Sequence, residues 1–259
     1  MNIQLLPSSF DAEGRIIPDQ RLTTFLIDDC VAIDAGSIAM GINDAQRRNI
    51  RDIIITHPHI DHVACLPIFI DDLFAMLKEP VRVHATEEVI HLLERDIFNW
   101  TVYPRFSQLS NECCHVMEYV PFRTNEEFQI KHLRITAENV NHFVPCVGLV
   151  VSDANATVAF TSDTAETEGF WEMVNSAPQH LSALFIEASF PNEFEKLASA
   201  SGHLTPATLS IELGKLTKVP PDILVVHLKP SYRDRVMSEL EALNIEGLSV
   251  MAPGKLYEW

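Results

Sequence analysis

Short apolar runs alternate with amphipathic segments along the whole chain. The apolar runs predict strands at 23–27, 30–33, 51–56, 81–84, 117–122, 128–136, 143–151, 156–162, 184–186, 223–227 and 248–250. Helical spacing of apolar residues predicts helices at 63–76, 87–95, 206–216 and 232–243, whereas 99–116 has no regular pattern. This order predicts an α/β protein with two sheets and helices on the outer faces. The consecutive runs 117–122, 128–136, 143–151 and 156–162 predict that the second sheet is mainly antiparallel.

Turn and capping residues refine four of these boundaries. Asp28-Asp29 predicts a hairpin between the first two strands, and Asp34-Ala35-Gly36-Ser37 predicts a turn into a helix. Ser231 and Asp234 have the spacing of a capping box for the last helix. Thr205-Pro206 has a cap residue followed by proline at the first helical position, so the nearby His203 is expected beside a helix N-terminus that suits a phosphate.

Length and composition favour one domain over residues 1–259, since 47% of the residues are hydrophobic and a chain of this size can bury a substantial core. The sequence has neither a signal-peptide pattern nor an apolar run of membrane-spanning length, so we expect a soluble, cytoplasmic protein. The five cysteines have no metal-finger or disulfide spacing, and we interpret them as reduced thiols that mostly pack in the interior.

The formal net charge of −17 argues against long nucleic acids as partners, because phosphate binding needs clustered Lys and Arg. A small anionic substrate remains compatible with this charge, since bound divalent ions can reverse the sign of the local potential.

The segment Thr56-His57-Pro58-His59-Ile60-Asp61-His62 follows the apolar run 53–55. It places three imidazoles and a carboxylate at the end of a predicted strand, and these are the donor types that zinc-class ions require. Without a metal, several of these ring nitrogens would lack hydrogen-bond partners. The segment therefore predicts a metal site and metal-assisted hydrolysis.

Three further candidate ligands also follow predicted strands, namely His142, Asp163 and His227. Each alone is as compatible with a structural role as with ligation, and their shared position at strand ends favours ligation. The remaining histidines are interpreted as structural or surface residues, and they are His84, His91, His115, His132 and His180.

These motifs resemble the metallo-β-lactamase-fold hydrolases. The H-x-H-x-D-H motif of that family corresponds to 57–62, its later histidine to His142, its bridging aspartate to Asp163 and its last metal histidine to His227. More narrowly, the segments 184–190, 201–206 and 227–230 resemble class II cyclic-nucleotide phosphodiesterases. The resemblance spans most of the chain and implies a metallo-β-lactamase-like αββα sandwich.

The same resemblance implies two metal ions, most simply zinc, with manganese and iron(II) also compatible with the donors. One ion would be held by His57, His59 and His142, and the other by Asp61, His62 and His227, with Asp163 bridging. The implied reaction hydrolyses cyclic 3′,5′-nucleotides, cyclic AMP or cyclic GMP, to 5′-nucleoside monophosphates by attack of a hydroxide held between the metals. A homodimer is the assembly expected by analogy with the family.

Further residues receive roles in that reaction. His203 is the candidate proton donor to the leaving ribose oxygen, with a turn or capping role as its alternative, and Asp61 is counted as catalytic through the metal set. His203, Thr205 and Lys229 are the candidate substrate-binding residues, although Lys229 is equally compatible with a solvated side chain.

Other functions of this fold remain open at the level of sequence. They are a tRNA 3′-end nuclease, a sulfatase, a lactonase and a metal-binding scaffold without activity. The nuclease is less favoured because the chain has only 9 glycines and a strong acidic balance, where a basic, glycine-rich arm would be expected. The sequence contains no code for adenine or guanine, and most aromatic residues are expected to pack in the core.

Overall fold

The computed structural model describes residues 1–259, in which fourteen strands and eight α-helices are formed. The strands are β1 Asn2–Leu5, β2 Phe25–Ile27, β3 Val31–Ile33, β4 Asp52–Ile54, β5 Val81–Ala85, β6 Met117–Pro121, β7 Glu127–Ile130, β8 Leu133–Asn139, β9 Val147–Ser152, β10 Thr157–Phe160, β11 Ala183–Glu187, β12 Asp222–Val226, β13 Leu248–Val250 and β14 Leu256–Glu258. The helices are α1 Asp44–Asn49, α2 Ile60–Val63, α3 Leu66–Leu73, α4 Glu87–Asp96, α5 Gly169–Ser176, α6 Glu195–Ala200, α7 Pro206–Leu213 and α8 Arg233–Ala242. None of the helices is long and apolar enough to cross a membrane.

The strands form two seven-stranded sheets, in the orders β14-β1-β2-β3-β4-β5-β6 and β13-β12-β11-β10-β9-β8-β7. In the first sheet the pairing is antiparallel from β14 to β3 and parallel from β3 to β6. In the second sheet, three pairs are antiparallel, from β7 to β10, and three are parallel, from β10 to β13. The prediction of a mainly antiparallel second sheet is therefore wrong, because helical connections make half of its pairs parallel.

Alternation of side chains along the strands builds the layers. On β4, Ile54 packs between the two sheets, while Ile53 packs on the opposite face with the helices that cover the first sheet. On β11, Phe185 packs between the sheets, while Leu184 packs with the helices that cover the second sheet. The predicted αββα sandwich is confirmed, and central strands such as β4, β10 and β11 are buried along their whole length because both faces are covered.

The predicted helix 63–76 is α3 followed by a 3₁₀ turn at 74–76, and its first residue, Val63, instead ends the separate short helix α2. The N–H group of Cys65 donates to Ala35 O rather than into the helix, and Pro67 lies in the first turn of α3, where its missing N–H is tolerated. The chain therefore changes direction directly after the histidine-rich segment.

Two other local predictions differ from the structure. The capping box at Ser231 is wrong, because 230–232 forms a 3₁₀ turn and α8 begins at Arg233 without a side-chain cap. The predicted strand 128–136 is a hairpin of β7 and β8, in which Lys131 has a positive φ of 53°. Sequence patterning also missed β1, β14, α1, α5 and α6, which are short or lie at the chain ends.

Candidate metal centre

The predicted ligands follow neighbouring strand ends of the two sheets, in loops and, for Asp61 and His62, in the short helix α2. His57, His59, Asp61 and His62 follow β4 of the first sheet, whereas His142, Asp163 and His227 follow β8, β10 and β12 of the second. The centre is therefore formed where the two sheets meet.

The close approach of two loops depends on Gly36. A Cβ atom at this position would lie 1.9 Å from the backbone oxygen of Asp61. Glycine allows the N–H of Thr23 to donate to that same oxygen at 2.8 Å, which fixes the backbone of Asp61. The predicted turn at 34–37 thus packs through Gly36 against the backbone of the metal-binding segment at Asp61.

The ligand atoms of the seven predicted residues form two groups that share one carboxylate. His57, His59, His142 and Asp163 form one group, and Asp61, His62, Asp163 and His227 form the other, with all ligand atoms of a group within 4.8 Å of one another. Asp163 Oδ2 lies 3.6 Å from His57 Nε2 and 3.4 Å from both His62 Nε2 and His227 Nε2. The structure brings all seven side chains together.

The donor set fits divalent ions. Ligand atoms that share a tetrahedral ion at about 2.1 Å lie about 3.4 Å apart, which is close to the separations around Asp163. The buried atoms His57 Nε2 and His62 Nε2 make no hydrogen bond within the protein. Buried polar atoms normally have partners, so these orphaned nitrogens support metal binding at the cluster.

Hydrogen bonds on the far side of the rings orient the nitrogens that face the centre. His142 Nδ1 donates to the carbonyl oxygen of Gly202 at 2.9 Å, so the lone pair of Nε2 faces the centre, 3.1 Å from His59 Nδ1. His62 Nδ1 donates to Asp34 Oδ2 at 2.7 Å, and His57 Nδ1 lies 3.0 Å from the hydroxyl of Thr56. Such contacts fix ring orientation and raise the basicity of the ligand.

Asp34 links two ligand histidines, and sequence reasoning missed its role. Its side chain is buried and accepts hydrogen bonds from the N–H and the hydroxyl of Thr56 as well as from His62. Ser162, the residue before Asp163, donates to Thr56 Oγ1 at 2.9 Å. In the sequence, Asp34 is a carboxylate directly after the apolar strand β3, and it was interpreted only as part of the turn 34–37.

Asp34→Asn is expected to weaken metal binding by about 10- to 100-fold, because the anionic partner of His62 is lost while the shape of the side chain is kept. Titration against a coloured chelator measures this affinity. Asp52→Asn is the matched control, since Asp52 is also buried and lies 2.9 Å from a ring nitrogen of His84, remote from the ligand groups. Equal metal affinity in both variants would contradict the role assigned to Asp34.

The environment favours the neutral form of three ligand histidines. Burial, reinforced by neighbouring imidazoles, lowers the pKa of His57, His59 and His142. Metal ligation requires neutral imidazole, so these three rings are in the required state at neutral pH.

The carboxylates of the centre remain ionised and act on His62. Burial opposes ionisation of Asp61 and Asp163, but neighbouring histidines, His227 foremost, hold the pKa of both below the usual range. Burial likewise disfavours charge on His62, but Asp163 and Asp34 raise its pKa well above the ordinary value. His62 must therefore release a proton before its Nε2 can act as a ligand.

Glu187 is a second buried carboxylate that sequence reasoning did not assign. It ends β11, is fully buried, and its Oε1 lies 2.8 Å from His203 Nδ1. Its Oε2 accepts a hydrogen bond from Ser189 at 2.8 Å, and Ser189 Oγ lies 2.9 Å from His227 Nδ1. It also accepts the N–H of Thr164, next to Asp163. The carboxylate of Glu187 thus orients His203 directly, the predicted ligand His227 through Ser189, and the loop that carries Asp163 through Thr164.

His203 lies directly beside the ligand groups. Helix α6 ends in a Schellman motif, in which the N–H groups of Gly202 and His203 donate to Ser199 O and Ala198 O, and Gly202 has a φ of 69°. The His203 ring stacks on that of His227, with centroids 5.4 Å apart, and lies 5.3 Å from that of His142. Although burial opposes it, Glu187 raises the pKa of His203.

The cap predicted at Thr205 is present, but the neighbouring backbone does not offer a phosphate site. Thr205 is fully buried and forms a capping box with Thr208. The N–H groups of Ala207 and Thr208 already donate to Asn192 Oδ1 and Thr205 Oγ1, and Pro206 has none. The expectation of a phosphate bound by this helix N-terminus is therefore not supported.

Lys229 is half-buried, and its ammonium group is near His203. Its Nζ lies 5.3 Å from the centroid of the Phe190 ring, and this ring lies 5.9 Å from that of His203. The ammonium group of Lys229 therefore lies over the Phe190 ring, which in turn lies beside the ring of His203.

Comparison of the sequence with known proteins adds three findings. A family model described as the Beta-lactamase superfamily domain matches residues 24–227. A protein of Yersinia pestis named probable 3′,5′-cyclic-nucleotide phosphodiesterase is 26% identical, over 90% of this chain and 82% of its own length. The 3′,5′-cyclic-nucleotide phosphodiesterase 1 of Saccharomyces cerevisiae is 24% identical over 76% of this chain, which spans only 61% of that relative.

Among solved structures, unliganded yeast PDE1 has a TM-score of 0.77 and 16% identity over 98% of both chains, which shows a shared fold.

Proposed function

The chain belongs to the beta-lactamase superfamily, and from this premise we propose that it is a metal-dependent phosphodiesterase that hydrolyses cyclic 3′,5′-nucleotides to 5′-nucleoside monophosphates. The observation that carries the proposal is the pair of ligand groups that share Asp163, with His203 stacked on one of the ligands. The names of the relatives in Yersinia pestis and Saccharomyces cerevisiae support the choice of substrate.

Within this proposal, His57, His59, His142 and Asp163 would hold one divalent ion, and Asp61, His62, His227 and the shared Asp163 would hold the other. Ions bound there would supply a water-derived nucleophile at neutral pH and neutralise charge on the phosphoryl oxygens. The His and Asp donors suit zinc, and they are also compatible with manganese or iron(II). Asp34 positions the ring of His62 directly, and Glu187 positions His203 directly and the ligand His227 through Ser189.

His203 protonates the leaving group in this reaction. Hydrolysis forms a bond from water oxygen to phosphorus and breaks the bond from phosphorus to the ribose O3′, which must acquire a proton. His203 is suited to deliver it, because Nδ1 is held by Glu187 while Nε2 has no hydrogen-bond partner in the chain and is not fully buried. Lys229 contributes positive charge beside the phosphate. Thr205 has a structural role, because it caps the N-terminus of α7 next to His203.

The proposed function is tested by an activity panel on one sample whose metal content is measured. The substrates are cyclic AMP, cyclic GMP, bis(p-nitrophenyl) phosphate, an aryl sulfate, a lactone and a precursor tRNA. We expect turnover of a cyclic nucleotide, with the 5′-monophosphate as the product identified by chromatography. Cleavage of precursor tRNA without cyclic-nucleotide turnover would identify a nuclease, and turnover of only the sulfate or the lactone would assign a different ester class. Full metal loading without any turnover would favour a binding protein.

A further inference from the structure

A cavity of about 360 Å³ adjoins the metal centre and shares two residues with it. His142 and His203 form part of its wall, together with Asn141, Phe143, Glu166 and Glu195. Its volume lies in the range of small-molecule sites, about 300 to 1,000 Å³. Because His142 and His203 line this cavity and also lie at the metal centre, the cavity is the space next to a phosphate bound at the ligand groups.

The wall of this cavity is acidic. The carboxylates of Glu166 and Glu195 are its only charged side chains apart from the histidines, and none of its lining residues is Lys or Arg. A second phosphate group would be repelled there, because it would find two carboxylates and no cation. The cavity thus suits an uncharged group that is rich in N–H donors, and it disfavours the next phosphate of an RNA strand.

Phe143 supplies an exposed aromatic surface at the same cavity. Its side chain is 69% exposed although it directly follows a predicted metal ligand. The Phe143 ring lies 6.5 Å from that of His142, and the turn at Gly202 fits against both residues because glycine has no Cβ. An exposed aromatic ring beside a cavity is a stacking surface for a planar heterocycle.

We propose that this cavity binds the base of the cyclic nucleotide and favours guanine over adenine, an inference that rests on the proposed function. Guanine presents two adjacent N–H donors, at N1 and N2, which match the two acceptor oxygens of a carboxylate. Adenine presents one donor beside the N1 lone pair, which a carboxylate repels. Glu166 and Glu195 are the candidate specificity-determining residues, and Phe143 stacks on the base.

The experiment compares kcat/KM for cyclic GMP and cyclic AMP in the wild-type protein, Phe143→Ala and the double variant Glu166→Gln/Glu195→Gln. We expect the wild type to prefer cyclic GMP. In the double variant, the ratio of kcat/KM for cyclic GMP to that for cyclic AMP should fall about tenfold. Phe143→Ala should raise KM for both nucleotides by roughly tenfold. Glu88→Gln, which changes an exposed glutamate on α4, is the matched control. Glu88→Gln should leave kcat/KM unchanged for both nucleotides and for bis(p-nitrophenyl) phosphate.

Calorimetric titration of the metal-loaded proteins with 5′-GMP and 5′-AMP separates this inference from the proposed function. Tighter binding of 5′-GMP, weakened by the double variant, supports the guanine site whether or not cyclic nucleotides are turned over. A preference for adenine nucleotides, or a guanine preference that the double variant leaves unchanged, would overturn it. Absence of cyclic-nucleotide turnover would count against the proposed function, and the titration would then decide the base site alone.

Discussion

Asp163→Asn is expected to lose bound metal from both ligand groups and to reduce turnover on the order of 10³-fold. Asp163 is the only residue that belongs to both groups, and its Oδ2 lies within 3.6 Å of three histidine nitrogens. Asparagine keeps the size of the side chain but removes the negative charge and one of the two acceptor oxygens. Elemental analysis and kcat/KM on the same sample measure both effects.

Two further variants make the result for Asp163 specific. Asp61→Ala removes a member of only one group, so it should abolish activity while part of the metal is retained. Asp71→Asn, at an exposed aspartate of α3, should change neither metal content nor turnover. If Asp163→Asn kept its metal and its activity, the shared-ligand assignment would be excluded. A native circular dichroism spectrum of the metal-free variant rules out unfolding as the cause of metal loss.

His203→Gln should retain metal and lose about 10²- to 10⁴-fold in cyclic-nucleotide turnover, the range of a lost general acid. The ring touches the ligand groups without belonging to either group that contains Asp163. Glutamine can still accept or donate a hydrogen bond, but it cannot deliver a proton to O3′. Elemental analysis together with steady-state kinetics separates this outcome from loss of a ligand.

The leaving group distinguishes proton donation by His203 from a structural role. The p-nitrophenolate anion leaves without protonation, so turnover of bis(p-nitrophenyl) phosphate should fall far less than that of cyclic nucleotides. His91→Gln, at an exposed histidine of α4, is the matched control. An equal loss for both substrates would show that His203 acts by positioning His142 or His227 instead.

Much of the fold followed from local pattern, and the predictions that failed concern contacts between residues remote in sequence. Strands of the core, such as β4 and β12, were predicted because they are apolar runs bounded by polar residues. The segment 117–122 was assigned to the second sheet, yet β6 pairs with β5 of the first, and no local pattern encodes a strand's neighbour. The break between α2 and α3 depends on a hydrogen bond from Cys65 to Ala35, which is remote in sequence.

The positioning residues of the centre escaped prediction for the same reason. Asp34 and Glu187 each follow or end an apolar strand, where a carboxylate is also typical of an ordinary turn. Their significance depends on partners such as His62, 28 positions away from Asp34, and His203, 16 positions away from Glu187. Only a buried location makes the charge of such a residue costly enough to require those partners.

The donor chemistry of the centre and the strands that carry it follow from the amino-acid sequence alone. Three histidines and an aspartate within six positions specify metal-binding side chains wherever the chain places them. The tertiary structure decided that Asp163 is shared by both ligand groups, that Glu187 holds His203 beside them, and that an acidic cavity adjoins the centre. The physical reason is that ligand type is a property of single residues, whereas a shared oxygen and a cavity wall arise from segments that only the packing of two sheets brings together.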